Sequence, residues 1–297
     1  MAPAATAMTL DTRTAGFTLL AVIAFASNSL LTRLALGSQQ IDAATFTAIR
    51  LGSGAAMLAL LVILERRALS PSTFGGLRAR AGMRGPVALF AYAAPFSFAY
   101  LRIGAAVGAL VLFGVVQLTM IGYALFSGER PGVLTWIGII LAGSGLAILA
   151  APSATRPDLI GLVLMVIAGI AWSVYTLVGK SAGDPLVANA RSFLWSTPLA
   201  IVAVFIAGAP TATTRGITLA MISGALTSGV GYAIWYRALP RLSVTQAAVA
   251  QLTVPVIAAL AAVGLLNERL SARLVLSSVA VLTGVALVVL TRTRKTA

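Results

Sequence analysis

Three groups of aromatic residues stand at helical spacing in this chain. Tyr92, Phe96 and Tyr100 recur at i, i+4 and i+8. Trp172 and Tyr175 follow at i, i+3, and Tyr232, Trp235 and Tyr236 at i, i+3 and i+4. On an α-helix each group shares one face. Such faces build an apolar pocket with polar handles, suited to aromatic or flat cationic solutes through stacking and cation–π contact. Tyr100, Trp136 and Trp235 lie near the ends of their segments, where an interfacial aromatic belt would account for them. Tyr92, Phe96, Trp172 and Tyr175 lie deeper; with Tyr232 they are the aromatic candidates for substrate contact.

Polar side chains inside the same apolar segments form a second set. These are Ser27, Asn28 and Ser29 in the first segment, Gln117 in the fourth, and Gln246 and Gln251 in the ninth. Each is costly in lipid and is expected to face the interior. There it lines a polar cavity or makes interhelical hydrogen bonds of modest strength. Asn28, Gln117 and Gln251 are the candidates for hydrogen bonding to a solute.

Charged groups narrow the chemistry further. The seven acidic residues are Asp11, Asp42, Glu65, Glu129, Asp158, Asp184 and Glu268. All fall in tails, in loops or at segment ends, so no mid-membrane carboxylate is available as a proton relay. Facilitated diffusion is therefore favoured over carboxylate-relayed proton antiport. Glu129 and Glu268 are the exceptions to weigh; their structural reading is capping, or pairing with the adjacent Arg. The chain has no His and no Cys. That removes the commonest base and metal ligand, every thiolate site and every disulfide. No metal, cofactor or catalytic constellation is expected, and an intramembrane enzyme is disfavoured.

The elements that position these residues follow from composition. Of 297 residues, 59% are hydrophobic and only 9% are charged, with a mean hydropathy of +0.99. A water-facing surface of this size needs far more charge. Ten apolar runs are long enough to approach or cross a bilayer core. They cover 14–36, 43–64, 85–101, 104–127, 132–151, 159–179, 186–207, 216–239, 243–266 and 272–290. The expected fold class is an all-α membrane protein of ten transmembrane helices. The first run is too long for a signal-peptide core, and Asn28 and Arg33 interrupt it, so it is expected to stay as a helix.

The net charge of +14 does not point to nucleic acid. With the amino terminus inside, thirteen of the 21 basic residues collect on one side, six on the other, and Arg50 and Arg191 fall inside segments. That bias predicts an inner (plasma) membrane protein with both short tails, 1–13 and 292–297, in the cytoplasm. The densest basic cluster, in the second loop, suits anionic lipid headgroups.

The chain also repeats itself. Gly128-Glu129-Arg130 and Asn267-Glu268-Arg269 superpose at a shift of 139 residues. The same shift puts Gly145 on Gly284, Arg102 on Arg241, Ala99 on Ala238, Phe96 on Trp235 and Ala109 on Ala248. A shift of 141 puts Arg50 on Arg191, and one of 145 puts Gly16 on Gly161. Five segments per copy is an odd number, so the second copy enters the membrane from the opposite side. Two inverted five-helix repeats, 14–151 and 158–291, are expected, with a solute site near the midplane between them. Arg50 and Arg191 can attract a carboxylate or tie helix ends to carbonyls; their symmetry favours the structural role. Pro95, Pro198 and Pro255 lie inside segments and mark possible bends.

Two five-helix repeats, each closing in a Gly/Ala-rich hairpin with Glu-Arg between its helices, resemble the EamA family of the drug/metabolite transporter superfamily. The residues that carry this are Phe96 to Ala99, Gly104 to Ala109, Gly128-Glu129-Arg130 and Gly143 to Leu146. In the second copy they are Trp235 to Leu239, Ser243 to Ala248, Asn267 to Leu270 and Thr283-Gly284. Within the superfamily the chain is most similar to aromatic amino acid and drug exporters. The resemblance implies a secondary transporter that exports amino acids and related metabolites or drugs by alternating access; the two repeats in one chain already supply both halves of a carrier, so a monomer is expected, and the aromatic faces add organic cations to the expected solutes. A proton-coupled antiporter is the alternative; a structural or signalling membrane protein is the reading from another class.

Overall fold

The computed structural model describes residues 12–66, 82–126, 132–150, 157–180, 184–238, 241 and 244–291. They form ten helices: α1 (Thr12–Gly37), α2 (Ala43–Arg66), α3 (Arg84–Tyr100), α4 (Ala105–Phe126), α5 (Val133–Ala150), α6 (Leu159–Lys180), α7 (Pro185–Ala207), α8 (Thr214–Ala238), α9 (Val244–Leu266) and α10 (Ala272–Thr291). Every expected segment is recovered to within two residues. Apolar runs this long satisfy their backbone internally only as helices, and turns fall where Gly, Pro and charge interrupt them. Asp184 caps α7 by accepting from the Val187 N–H at 3.1 Å, and Thr213 caps α8 through the Gly216 N–H at the same distance.

The outer faces are apolar. Phe126 is 96% exposed, and Phe205 and Ile206 are 80% exposed each. Such side chains need a hydrocarbon solvent, which the bilayer provides around a multi-pass membrane protein. Among the described residues, five helices are by themselves long and apolar enough to cross a bilayer: α1, α2, α6, α7 and α8.

The inverted repeat is written into the packing of α5 against α10. A methyl group added at Gly145 would lie 3.0 Å from the Ser277 carbonyl oxygen and 2.9 Å from the Val281 side chain. One added at Gly284 would lie 2.5 Å from the Gly138 carbonyl oxygen and 2.5 Å from the Ala142 nitrogen. The shift of 139 exchanges these two descriptions residue for residue. Two glycines related by duplication therefore each face the other's helix across one pseudo-two-fold seam, where their missing side chains allow the helices so close.

The repeats are not two separate lobes. α3 packs on α6, α2 on α7 and α8, α1 on α8 and α9, and α4 on α6 and α9. Each pair joins the first copy to the second, so the interior is shared. Sequence similarity reports duplication but not this interleaving.

One end of the bundle is tied shut by bonds between the copies. The loop before α2 meets the loop before α8 in an antiparallel bridge of Ile41 with Ala212. Asp42 accepts from the Thr45 N–H at 2.8 Å and from the Thr211 N–H at 2.9 Å. Glu268 accepts from the N–H groups of Ala105 and Ala106 at 2.8 and 3.3 Å, and its carboxylate stands 3.6 Å from the Arg33 guanidinium. Arg33 also donates to the Tyr100 carbonyl at 2.8 Å. Glu268 thus combines both expected structural roles, but its cationic partner is Arg33 and not the neighbouring Arg269. Glu129 lies outside the described residues.

At the other end, among the described residues, Arg237 and Glu65 pair at 3.0 Å, both about half exposed, which makes the pair a weak tie. Beside them is a hollow of about 400 Å³, lined by Glu65, Asp184, Pro185, Leu186, Ala233, Tyr236 and Arg237.

Candidate substrate cavity

The interior cavity lies where five helices converge. Phe25, Asn28 and Ser29 come from α1, Tyr92 and Phe96 from α3, Leu112 and Phe113 from α4, Trp172 from α6 and Tyr232 from α8. Three of these helices belong to the first copy and two to the second. The cavity is small, about 10 Å³, which is room for about one water. Any larger solute requires its walls to part.

The walls are an aromatic cluster. Tyr92 and Trp172 have ring centroids 4.8 Å apart, Trp172 and Tyr232 5.0 Å, and Phe25 and Tyr232 5.7 Å. Phe96 joins through Tyr92 at 5.2 Å. Tilted and edge-on pairs of this kind contribute roughly 0.5–1.5 kcal/mol each beyond their burial. The cluster is thus a cohesive plug, held by interactions that another flat ring can replace.

Asn28 supplies the polar edge. Its Oδ1 accepts from the Ser223 hydroxyl at 2.7 Å and from the Thr227 hydroxyl at 3.2 Å. Both belong to Ser223–Val230, where α8 widens into a π-helix, with the Gly231 N–H bonded five residues back to Leu226. Asn28 therefore lines the cavity and ties α1 to α8 at once.

Arg50 lies beside this plug. It is 1% exposed, and its guanidinium carbon stands 5.3 Å from the Tyr92 ring centroid and 5.0 Å from that of Phe96. Nη2 donates to the Tyr92 hydroxyl and Nε to Ser228 Oγ, both at 3.1 Å. The backbone around it is tightly held. A methyl group at Gly224 would sit 2.2 Å from the Arg50 carbonyl oxygen, so α8 can press this closely on α2 only with glycine there.

Five of the eight expected contact residues, Asn28, Tyr92, Phe96, Trp172 and Tyr232, line this one cavity. Tyr175 stands behind the wall, its ring 5.6 Å from Trp172 and its hydroxyl bonded to Asn189 Oδ1. Gln117 is buried on α4 and Gln251 half-buried on α9, and neither is among the lining residues. The expected belt positions divide. Trp136 is 48% exposed, but Tyr100 and Trp235 are buried and complete the aromatic core, on Phe96 at 4.8 Å and Phe25 at 5.7 Å. Phe25 itself went unselected, although it lies three residues before Asn28 on the same face of α1. Leu112 and Phe113 carry no such signal, because they stand in the unbroken apolar run Ala109 to Val116 of α4.

Known proteins agree with this architecture. The model of the EamA-like transporter family matches residues 159–290, the second copy. An uncharacterized protein of Pseudomonas aeruginosa is 47% identical over 95% of this chain and 96% of its own length. An uncharacterized transporter of Clostridium kluyveri is 25% identical over 59% of this chain and 61% of its own. Another, of Archaeoglobus fulgidus, is 27% identical over 63% and 68%. A crystal structure at 17% identity superposes with a TM-score of 0.66, covering 95% of this chain and 99% of its own, which shows a shared fold. With its ten helices in two inverted five-helix repeats, the chain belongs to the EamA family of the drug/metabolite transporter superfamily.

Proposed function

We propose that this membrane transporter is an exporter of amino acids, aromatic ones included, and of related small metabolites or drugs, working by facilitated alternating access. The observation that carries the reading is the aromatic cavity with its Asn28 edge, built from both copies and lying between a tied end and a hollow one. Tyr92, Phe96, Trp172, Tyr232 and Asn28 are its solute contacts, and Tyr175 supports Trp172 from behind. Gln117 and Gln251 are reserved for a state in which the helices have moved.

The exchange unit is the pair of repeats, 14–151 and 158–291, acting within a monomer. Because their helices interleave, opening is a concerted change in helix pairs and not the parting of two lobes. The protein sits in the inner membrane with both termini in the cytoplasm, and the hollow end then faces inward. Proton coupling is the second reading. It is disfavoured because the acidic residues with described partners, Asp42, Glu65, Asp158, Asp184 and Glu268, are engaged at the ends of helices. Neither catalysis nor a cofactor is part of the reading.

The test is counterflow in proteoliposomes with each labelled amino acid and with common organic cations, with and without an imposed pH gradient. Uptake above empty liposomes that ignores the gradient is expected. Background uptake for every solute would end the transporter reading, and a strict requirement for the gradient would favour the antiporter.

A further inference from the structure

Arg50 is a buried cation without a described anion. Among the described residues it donates to the hydroxyls of Tyr92 and Ser228, interacts with that of Tyr232 and lies against two ring faces, and its Nη1 is buried with no hydrogen-bond partner. A guanidinium carries five N–H donors in a planar fork that matches a carboxylate. Burying its charge is costly unless an opposite charge arrives. A residue kept only to tie helices together needs neither the unspent donor nor the full charge.

Its surroundings point the same way. The two rings it lies against, Tyr92 and Phe96, are walls of the cavity. A solute seated among Tyr92, Phe96 and Trp172 would bring any carboxylate close to the same guanidinium. A cationic solute would meet a fixed like charge there, with the Tyr92 and Phe96 faces already engaged by Arg50.

We propose that Arg50 is the anion anchor of this cavity, so that the transported solute carries a carboxylate beside an apolar or aromatic body. The carboxylate takes up Nη1 and supplies the missing charge; the body displaces the ring contacts that close the cavity. This rests on the transporter reading and narrows it: organic cations, and amino acids whose carboxylate is masked, are excluded.

The experiment uses the full chain in proteoliposomes. Counterflow is measured for the labelled amino acids and for tetraethylammonium. Each amino acid that moves is then challenged with its own amide and its decarboxylated amine. The anchor requires the amide and the amine to compete about tenfold more weakly or worse, and tetraethylammonium not to move. Arg50→Gln should abolish transport or erase the preference for the acid over the amide, while Arg50→Lys keeps the preference at a reduced rate. The wild-type competition stands even if Arg50→Gln does not fold, which size-exclusion chromatography reports. Equal competition by the amide, movement of tetraethylammonium, or an unchanged preference in folded Arg50→Gln overturns the anchor while the transporter stands. If no solute moves in the wild type, the anchor falls together with the transporter reading.

Discussion

The carboxylate of Glu268 accepts the backbone N–H of Ala105 at 2.8 Å, so a loop of the second copy caps the first turn of a helix in the first. The cap closes one end of the bundle, and Arg33 reinforces it at 3.6 Å. An anion at a helix amino terminus is favoured by the free N–H groups and by the helix dipole. The bond must break whenever this end opens.

Neutralising that carboxylate is expected to release the end. Glu268→Gln replaces charge-assisted hydrogen bonds by neutral ones, a loss of about 1.4 kcal/mol, or roughly a tenfold shift toward the open state. The chain has no Cys, so a single Ser29→Cys reports access to the cavity. Labelling by a membrane-impermeant maleimide from the Arg33 side should accelerate by that factor. An unchanged rate would mean that Glu268 does not limit opening.

Trp172 touches four aromatic neighbours, Phe25, Tyr92, Tyr175 and Tyr232, at 4.8 to 6.2 Å. Trp172→Ala should bring counterflow close to background while the protein still inserts, at a stability cost of about 3–5 kcal/mol. Trp172→Phe keeps a ring and should fall between. Wild-type rates in the Ala variant would remove α6 from the solute site.

Asn28→Leu leaves the Ser223 and Thr227 hydroxyls without their shared acceptor. Thr227 already bonds back to the Ser223 carbonyl at 2.8 Å, so the loss should be modest, about 1 kcal/mol in unfolding by detergent titration. Transport should suffer more than stability. Equal loss in both would reduce Asn28 to a helix tie.

Asp42 gives the tied end a defined pH response. Burial acts to raise its pKa, but the bonds from Thr45 and Thr211 outweigh it and hold the carboxyl below its ordinary 3.8. A group depressed on folding contributes stability above its unfolded pKa and loses it as pH falls through the folded value. Wild type should therefore exceed Asp42→Asn in thermal stability at neutral pH, with the gap narrowing as the pH falls through the region of 3.8 and below. A gap that narrows nearer neutrality would show that another group sets the response.

The segment positions were legible because apolar length and breakers dominate in a chain this poor in charge. The aromatic faces of α3, α6 and α8 were legible for a related reason: three- and four-residue spacing survives even where every position is apolar. Burial was not. Tyr100 and Trp235 sit near helix ends, but interleaved helices cover them. Gln117 and Gln251 obey the rule that polar groups face inward without facing this cavity, since an interior shared by ten helices offers them other places. Arg50 and Arg191 looked alike as duplicated residues. Their surroundings are not duplicated: the rings of Tyr92 and Phe96 stand against Arg50, which is buried, whereas Arg191 is only part-buried.

The wide turns of Ser223–Val230 set the phase of everything after them in α8. A π-helical stretch holds more residues per turn than an α-helix, so rewinding it as α would turn the downstream rungs by about 100° for each residue taken up. Tyr232, Trp235 and Tyr236 all hang below that stretch, one facing the cavity and another the hollow. Rewinding it would work as a crankshaft does: a local change of winding beside Asn28 and Arg50 would swing three rings together.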